Sequence, residues 1–261
     1  MTGPGSLAIV GLGPGAPQWL TPEASDVLAQ ASDIIGYGPY VARLPPRAGQ
    51  RLHASDNRVE IDRARHALQL ACAGHRVAVV SGGDPGVFAM AAAVLEAVDS
   101  GPAQWRGLDI TIVPGISAMM AAAARLGAPL GHDFCAISLS DNLKPWAMIE
   151  RRLQAAIAGD FVIALYNPAS KARPSRIFEA FALLRAGKAA PTPVAFARAV
   201  GRADETLVLG DLGTIDPACV DMSTLVIIGS SQTRLVARGD RRPWLLTPRS
   251  YGAAPSYEAG S

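Results

Sequence analysis

Apolar residues in this chain come mainly in short runs bounded by Gly, Pro, Asn or Asp. Leu7–Val10, Val77–Val80, Ile110–Val113, Cys135–Leu139, Phe161–Leu165, Val194–Ala197 and Thr224–Ile228 are each four or five residues long. Runs of that length and punctuation read as buried strands. Asp33–Ile35 is a shorter one, and Thr206–Leu209 reads as a further strand. Between the runs the spacing turns helical. Thr21-Pro22-Glu23 opens a helix that continues through Ala24–Ala31, with Thr as N-cap, Pro at the first helical position and Glu near the positive dipole end. Glu60–Ala73 is a basic amphipathic helix ending at Gly74. Phe88–Val98, Ser117–Leu126, Pro145–Ala158 and Arg176–Ala186 complete the set.

Strand and helix alternate regularly in the first half, which predicts a mainly parallel α/β sheet. The second half has more strands and fewer helices between them, so its sheet is expected to be mixed. A boundary near 125–130 divides the chain into a domain over 1–126 and a domain over 127–250. The Gly-, Ala-, Ser- and Pro-rich residues 251–261 read as a mobile tail.

Composition narrows the function classes. Of 261 residues 49% are apolar and 18% charged, and the net charge is +2. That suits a globular chain with a sizeable core and gives no reason to expect a nucleic-acid partner. The longest apolar run, Ala118–Ala124, falls well short of the ~20 residues of a spanning helix. No signal-peptide pattern opens the chain, so a cytoplasmic protein with no membrane partner is expected. Cys72, Cys135 and Cys219 are far apart and form no CxxC pair, so neither a metal site nor a disulfide framework is expected.

Three strand ends carry the chemistry. GLGPG (11–15) looks at first like a dinucleotide turn, but G-x-G-P-G is not G-x-G-x-x-G, and Pro14 removes an amide a phosphate would use. No Lys-Ser/Thr pair follows, which excludes a Walker loop. SGGDPG (81–86) offers an aspartate and a proline where a phosphate loop offers amides and a lysine. Asp84 fits either of two roles, capping a helix with Pro85 at its first position or facing a ligand that carries hydroxyls or positive charge. VPGISA (113–118) repeats the layout, with a helix starting at Ser117. Three turns of small residues at three strand ends point to a shared cleft, since ligands of open α/β sheets sit at the carboxyl edge.

These turns, in this order, resemble the class III S-adenosylmethionine-dependent family, the tetrapyrrole methyltransferases, with its GxGPG, GGDP and PGxSA motifs. The likeness extends over about residues 6–250. GYGPYV (36–41), HDFCAISLSDNLKPWAMIERRL (132–153), ALYNPASKARP (164–174), STLVIIGSSQTR (223–234) and TPRSY (247–251) are similar to the branch acting at C17 of precorrin-3B in cobalamin biosynthesis. The resemblance implies two α/β domains, each with a five-stranded sheet, flanking a cofactor cleft, and not the Rossmann-like methyltransferase fold. It also implies a homodimer and S-adenosylmethionine as cofactor. Carried over motif by motif, the cofactor contacts are Pro14, Gly82, Gly83, Asp84, Val87, Ser117 and Ala118. From the second domain come Tyr166, Asn167, Ala199, Val200 and Thr224.

Methyl transfer from a sulfonium needs positioning and exclusion of water more than a nucleophilic triad. The implied substrate is a tetrapyrrole bearing many carboxylates, which call for Arg and Lys. Arg43, Arg47, Arg51 and Arg58 lie in a loop-like segment after GYGPY, and Lys171, Arg173 and Arg176 follow YNP. Tyr37 and Tyr40 could stack on the macrocycle. Ring contraction calls for a base or hydrogen-bonding group, with His132, Asp133, Ser138, Ser140 and Asp141 as candidates. The rival readings are a sibling enzyme acting at another ring position or on uroporphyrinogen III, the cobalt-factor III enzyme of the oxygen-independent route, and a non-catalytic tetrapyrrole- or nucleotide-binding protein that kept the fold.

Overall fold

The runs Leu7–Val10 and Val77–Val80 are apolar at every position because both faces of their sheet are covered. Leu7, Ile9, Val77 and Val79 share one packed cluster, and Ala8, Val10, Ala78 and Val80 share the other. The structure, a computed structural model, describes residues 5–56, 59–169 and 173–251. It divides into two units, one up to Ala118 and one from Met119 onward.

In the first unit β1 (Ser6–Gly11), β2 (Asp33–Tyr37), β3 (Arg51–Ser55), β4 (Arg76–Ser81) and β5 (Asp109–Val113) form one sheet in the order β3-β2-β4-β1-β5. All four pairings are parallel. Helix α1 (Pro22–Gln30) covers one face through Ala24 and Leu28. The short α2 (Gly38–Val41) follows β2 on the same side through Val41. Helices α3 (Glu60–Cys72) and α4 (Met90–Ser100) cover the other face with alanine-rich sides. Thr21 accepts the Ala24 amide at 3.1 Å, as its capping sequence predicts.

Helix α5 (Ala118–Leu126) and the two-residue β6 (Gly127–Ala128) lead into the second sheet. Its strands are β7 (Phe134–Ser138), β8 (Val162–Tyr166), β9 (Pro193–Arg198), β10 (Thr206–Asp211) and β11 (Thr224–Ile228), in the order β10-β9-β11-β8-β7. Only β7 and β8 are parallel, so the sheet is mixed. Helices α6 (Trp146–Ala158) and α7 (Arg176–Gly187) pack Ile149, Leu153, Ile177, Phe181 and Leu184 against one face.

Two features of the strands differ from the sequence reading. Arg51 and its neighbours form strand β3 rather than a loop, because the fully buried Asp33 on β2 offers that polar segment a partner. A third sheet, β12 (Arg234–Arg238) and β13 (Arg241–Leu246) with β6, was not anticipated. Its strands are rich in arginine and mostly exposed, so they lack an apolar signature, although Gly239 at φ +56 marks the turn. No described helix is long and apolar enough to cross a membrane.

Candidate active site

Parallel pairing brings three strand ends to one edge. Gly11 is in register with Ser81, and Val10 with Val113, so the turns after β1, β4 and β5 emerge side by side. They are bonded to one another. Gly13 and Gly83 exchange amide-to-carbonyl bonds at 3.1 and 2.9 Å, and the Leu12 amide donates to the Ser81 carbonyl at 2.8 Å. The backbones approach so closely that only glycine fits. A Cβ on Gly115 would sit 2.3 Å from the Gly83 carbonyl oxygen, and one on Gly11 would sit 2.7 Å from the Gly115 nitrogen. Gly13 and Gly83 also have φ of +65 and +74, a region open chiefly to glycine.

Asp84 does not cap a helix, contrary to the reading of Pro85 as a first helical residue. Helix α4 begins only at Met90, and its first amide donates to Ser81 Oγ at 3.3 Å. Asp84 instead accepts from the Gly86 amide through Oδ1 at 2.8 Å and from the Gly115 amide through Oδ2 at 3.0 Å. It ties the second turn to the third. Val87 donates its amide to the Asp84 carbonyl at 3.3 Å, and Phe88 is held at φ +52. Pro14 is half-buried just past Gly13, and Ser117 is buried immediately before α5.

Two of the aromatic and basic candidates buttress this edge. The ring of Tyr40 occupies the space a Cβ on Gly82 would need, 2.7 Å away, and packs edge-on to Tyr37 at 5.4 Å between centroids. Arg43 donates to the Leu12 carbonyl at 3.0 Å and to the Gly13 carbonyl at 3.2 Å, so its guanidinium spans the first turn.

The second unit gathers its candidates at one edge too. Ser138 is in register with Tyr166, and Thr224 with Arg198, so the ends of β7, β8 and β9 lie with the start of β11. Asn167, at φ +51, donates from Nδ2 to Ser138 Oγ at 3.0 Å, and the Ser140 amide donates to the same oxygen at 3.3 Å. Tyr166 accepts the Met119 amide at its hydroxyl, 3.1 Å away. Ala199, at φ +53, donates its amide to the Ser223 carbonyl, and Thr224 Oγ1 donates to Asp221. Positive φ at Phe88, Asn167 and Ala199, none of them glycine, marks backbone held in costly conformations, and such residues concentrate at functional sites.

A family model for the Tetrapyrrole (Corrin/Porphyrin) Methylases matches residues 6–216. This chain belongs to that family. A Sinorhizobium protein named precorrin-3B C(17)-methyltransferase is 56% identical over 96% of this chain and 98% of its own length. A Salmonella typhimurium protein named probable cobalt-factor III C(17)-methyltransferase is 42% identical over 94% of this chain and 99% of its own. Among solved structures, that of the methyltransferase CobJ matches 94% of this chain and all of its own with a TM-score of 0.90 at 50% identity. The two α/β units thus have the tetrapyrrole methylase fold.

Within this methylase the remaining candidates separate. His132 and Asp133 precede β7 while Ser138 ends it, roughly 16 Å further along at ~3.3 Å per residue. His132 packs against the ring of Tyr251, 4.9 Å between centroids. Asp141 pairs with Arg176 at 2.8 Å and lies 3.5 Å from Arg173. Lys171 and Arg58 lie outside the described residues, as does the tail beyond Tyr251. Arg51 is at the opposite edge of its sheet, bound to Asp33 at 2.8 Å beside His53 and His75. The bracing by Arg43 and the capping by Ser81 had no signal in the sequence, because each depends on a contact between distant segments.

Proposed function

We propose that this methylase transfers a methyl group from S-adenosylmethionine to C17 of precorrin-3B, with ring contraction to precorrin-4, in cobalamin biosynthesis. One observation carries the reading, the 56% identity over nearly the full length of both chains to the Sinorhizobium protein named for that reaction.

The first-unit edge suits the cofactor. Its turns are glycine-lined backbone with one carboxylate, and the guanidinium nearby is already engaged with carbonyls. That donor set disfavours a phosphate. It favours hydroxyl groups and an ammonium, because each oxygen of Asp84 has a lone pair left after accepting one amide. S-adenosylmethionine, when bound, supplies the activated methyl group and departs as a neutral thioether. Pro14, Gly82, Gly83, Asp84, Val87, Ser117 and Ala118 would hold it in the first unit, and Tyr166, Asn167, Ala199, Val200 and Thr224 are the second unit's candidate cofactor contacts. The chain's part is to orient donor and acceptor and to exclude water.

Ring contraction needs a proton held or removed at the substrate. Ser138 Oγ accepts from Asn167 and Ser140, which leaves its O–H as a donor. Its place beside Asn167 favours it over His132 and Asp133 as a hydrogen-bond donor to the substrate, not as a base that removes a proton. Asp141, engaged with two guanidinium groups, is better suited to holding them than to taking a proton. Homodimerisation and a cytoplasmic setting complete the reading.

The Salmonella relative supports a second reading, in which the substrate is the cobalt complex of the oxygen-independent route. Purified protein incubated with labelled S-adenosylmethionine and either metal-free precorrin-3B or cobalt-factor III decides between them. Label and the chromophore change of contraction are expected with precorrin-3B. Label in neither substrate overturns both readings, and label without contraction points to a sibling activity.

A further inference from the structure

The basic side chains near the second-unit edge differ in how far they are neutralised. Arg176 is neutralised by Asp141 and Glu179, at 2.8 and 2.7 Å, and stacks on the ring of Trp146. Arg173 is mostly buried and fixed, donating to the Leu139 carbonyl at 3.2 Å with Asp141 at 3.5 Å. Lys144 has no such partner. It lies half-buried in the loop from β7 to α6, and no carboxylate among the described residues pairs with it. The groups acting on it are cations, Arg152 and Arg173. Burial first, and then those two charges, push its ammonium below the ordinary lysine range. Two residues on, the buried Trp146 indole N–H has no hydrogen-bond acceptor among the described residues.

Gathering like charges around a half-buried lysine opposes folding, and Asp141, the carboxylate of the described loop, is engaged with Arg173 and Arg176 rather than with Lys144. An arrangement that costs stability and offers donors without acceptors is complementary to an anion brought from outside. The loop is continuous with Ser138–Asp141, which places it beside the candidate edge rather than on a remote surface. We propose that Lys144, flanked by Arg173 and Arg152, receives a carboxylate of the tetrapyrrole substrate. The choice of ligand rests on the functional reading above. The carboxylate would supply the missing counter-charge, and Arg173, already oriented by Leu139 and Asp141, would present its fork beside the Lys144 ammonium.

The test uses uroporphyrin III, a stable polycarboxylate, with its methyl ester as control, and follows binding by fluorescence quenching. Lys144→Gln is expected to weaken acid-form binding about tenfold, while Lys144→Arg stays within about twofold of the parent. S-adenosylhomocysteine affinity should not change in either variant. The melting temperature of Lys144→Gln should be equal or higher, because repulsion is removed, whereas loss of a merely structural lysine would lower it. Acid-form binding by Lys144→Gln within about twofold of the parent overturns the proposal. So does an equal loss for the methyl ester, or a lowered melting temperature with parallel loss of S-adenosylhomocysteine binding. Methyl transfer to precorrin-3B by the parent protein is scored separately. Its absence would count against the functional reading and leave the porphyrin comparison intact.

Discussion

Asp84 Oδ2 accepts the backbone amide of Gly115, 31 residues away in sequence and 3.0 Å away in space. Its other oxygen accepts Gly86 at 2.8 Å. One carboxylate thereby fixes two of the three turns that form the first-unit edge. Asp84→Ala should weaken S-adenosylhomocysteine binding measured by calorimetry and lower unfolding free energy by about 1–2 kcal/mol. Asp84→Asn keeps one acceptor oxygen and should fall between. Unchanged affinity in Asp84→Ala would show that the turns keep their shape without it.

Gly115 tests the close approach of the turns. A methyl group there meets the Gly83 carbonyl oxygen at 2.3 Å and the Gly11 backbone at 2.9 Å, and neither neighbour is a flexible side chain. Gly115→Ala should cost more than about 2 kcal/mol in urea unfolding and abolish detectable cofactor binding. Parent-like stability would mean that the three turns are not locked together.

Arg43 separates two roles. If its guanidinium serves chiefly to brace the Leu12 and Gly13 carbonyls, Arg43→Met should reduce S-adenosylhomocysteine affinity about tenfold, the scale of losing charge-assisted bonds. Arg43→Lys, unable to span both carbonyls, should recover only part. A raised KM for the tetrapyrrole with unaltered cofactor affinity would instead make Arg43 a substrate contact.

Two aspartates away from the candidate edges set the acid behaviour. Burial works against the charge on Asp160, but hydrogen bonds from Ser231, Tyr251 and Lys188 outweigh it and hold its carboxyl at about 2. Asp33 is likewise opposed by burial, yet Arg51, His75, His53 and Ser32 keep it below the usual carboxylate range. A depressed carboxyl stabilises the fold fully above its unfolded value of ~3.9 and loses that contribution as pH falls through the folded value. The stability gap between the parent and Asp160→Asn should therefore be constant near neutrality and close between about pH 4 and pH 2. For Asp33→Asn the closure should extend to lower pH. Denaturant titrations across this range would refute the assignment if either gap stayed constant.

Much of the architecture was legible because buried strands and capped helices leave local patterns. Val77–Val80 is apolar at every position since both faces are covered, and Thr21-Pro22-Glu23 announces α1 by capping chemistry. The shortage of helices between the later strands foretold a mixed sheet. Strand β3 and the β12–β13 hairpin were not legible, because polar and arginine-rich strands take their stability from partners elsewhere in the chain.

At the candidate edges the sequence by itself determined the motifs, the small residues and the family to which they belong. Local spacing is enough for that, since a glycine or proline constrains its own backbone. Tertiary structure alone decided what those residues touch. It joined Asp84 to Gly115 rather than to a helix end, set Arg43 on the first turn, sent Arg51 to the far edge with Asp33, and left Lys144 among cations. Each outcome depends on which distant segment the pairing of strands brings within hydrogen-bond reach, and a linear pattern of residue types carries no record of that distance.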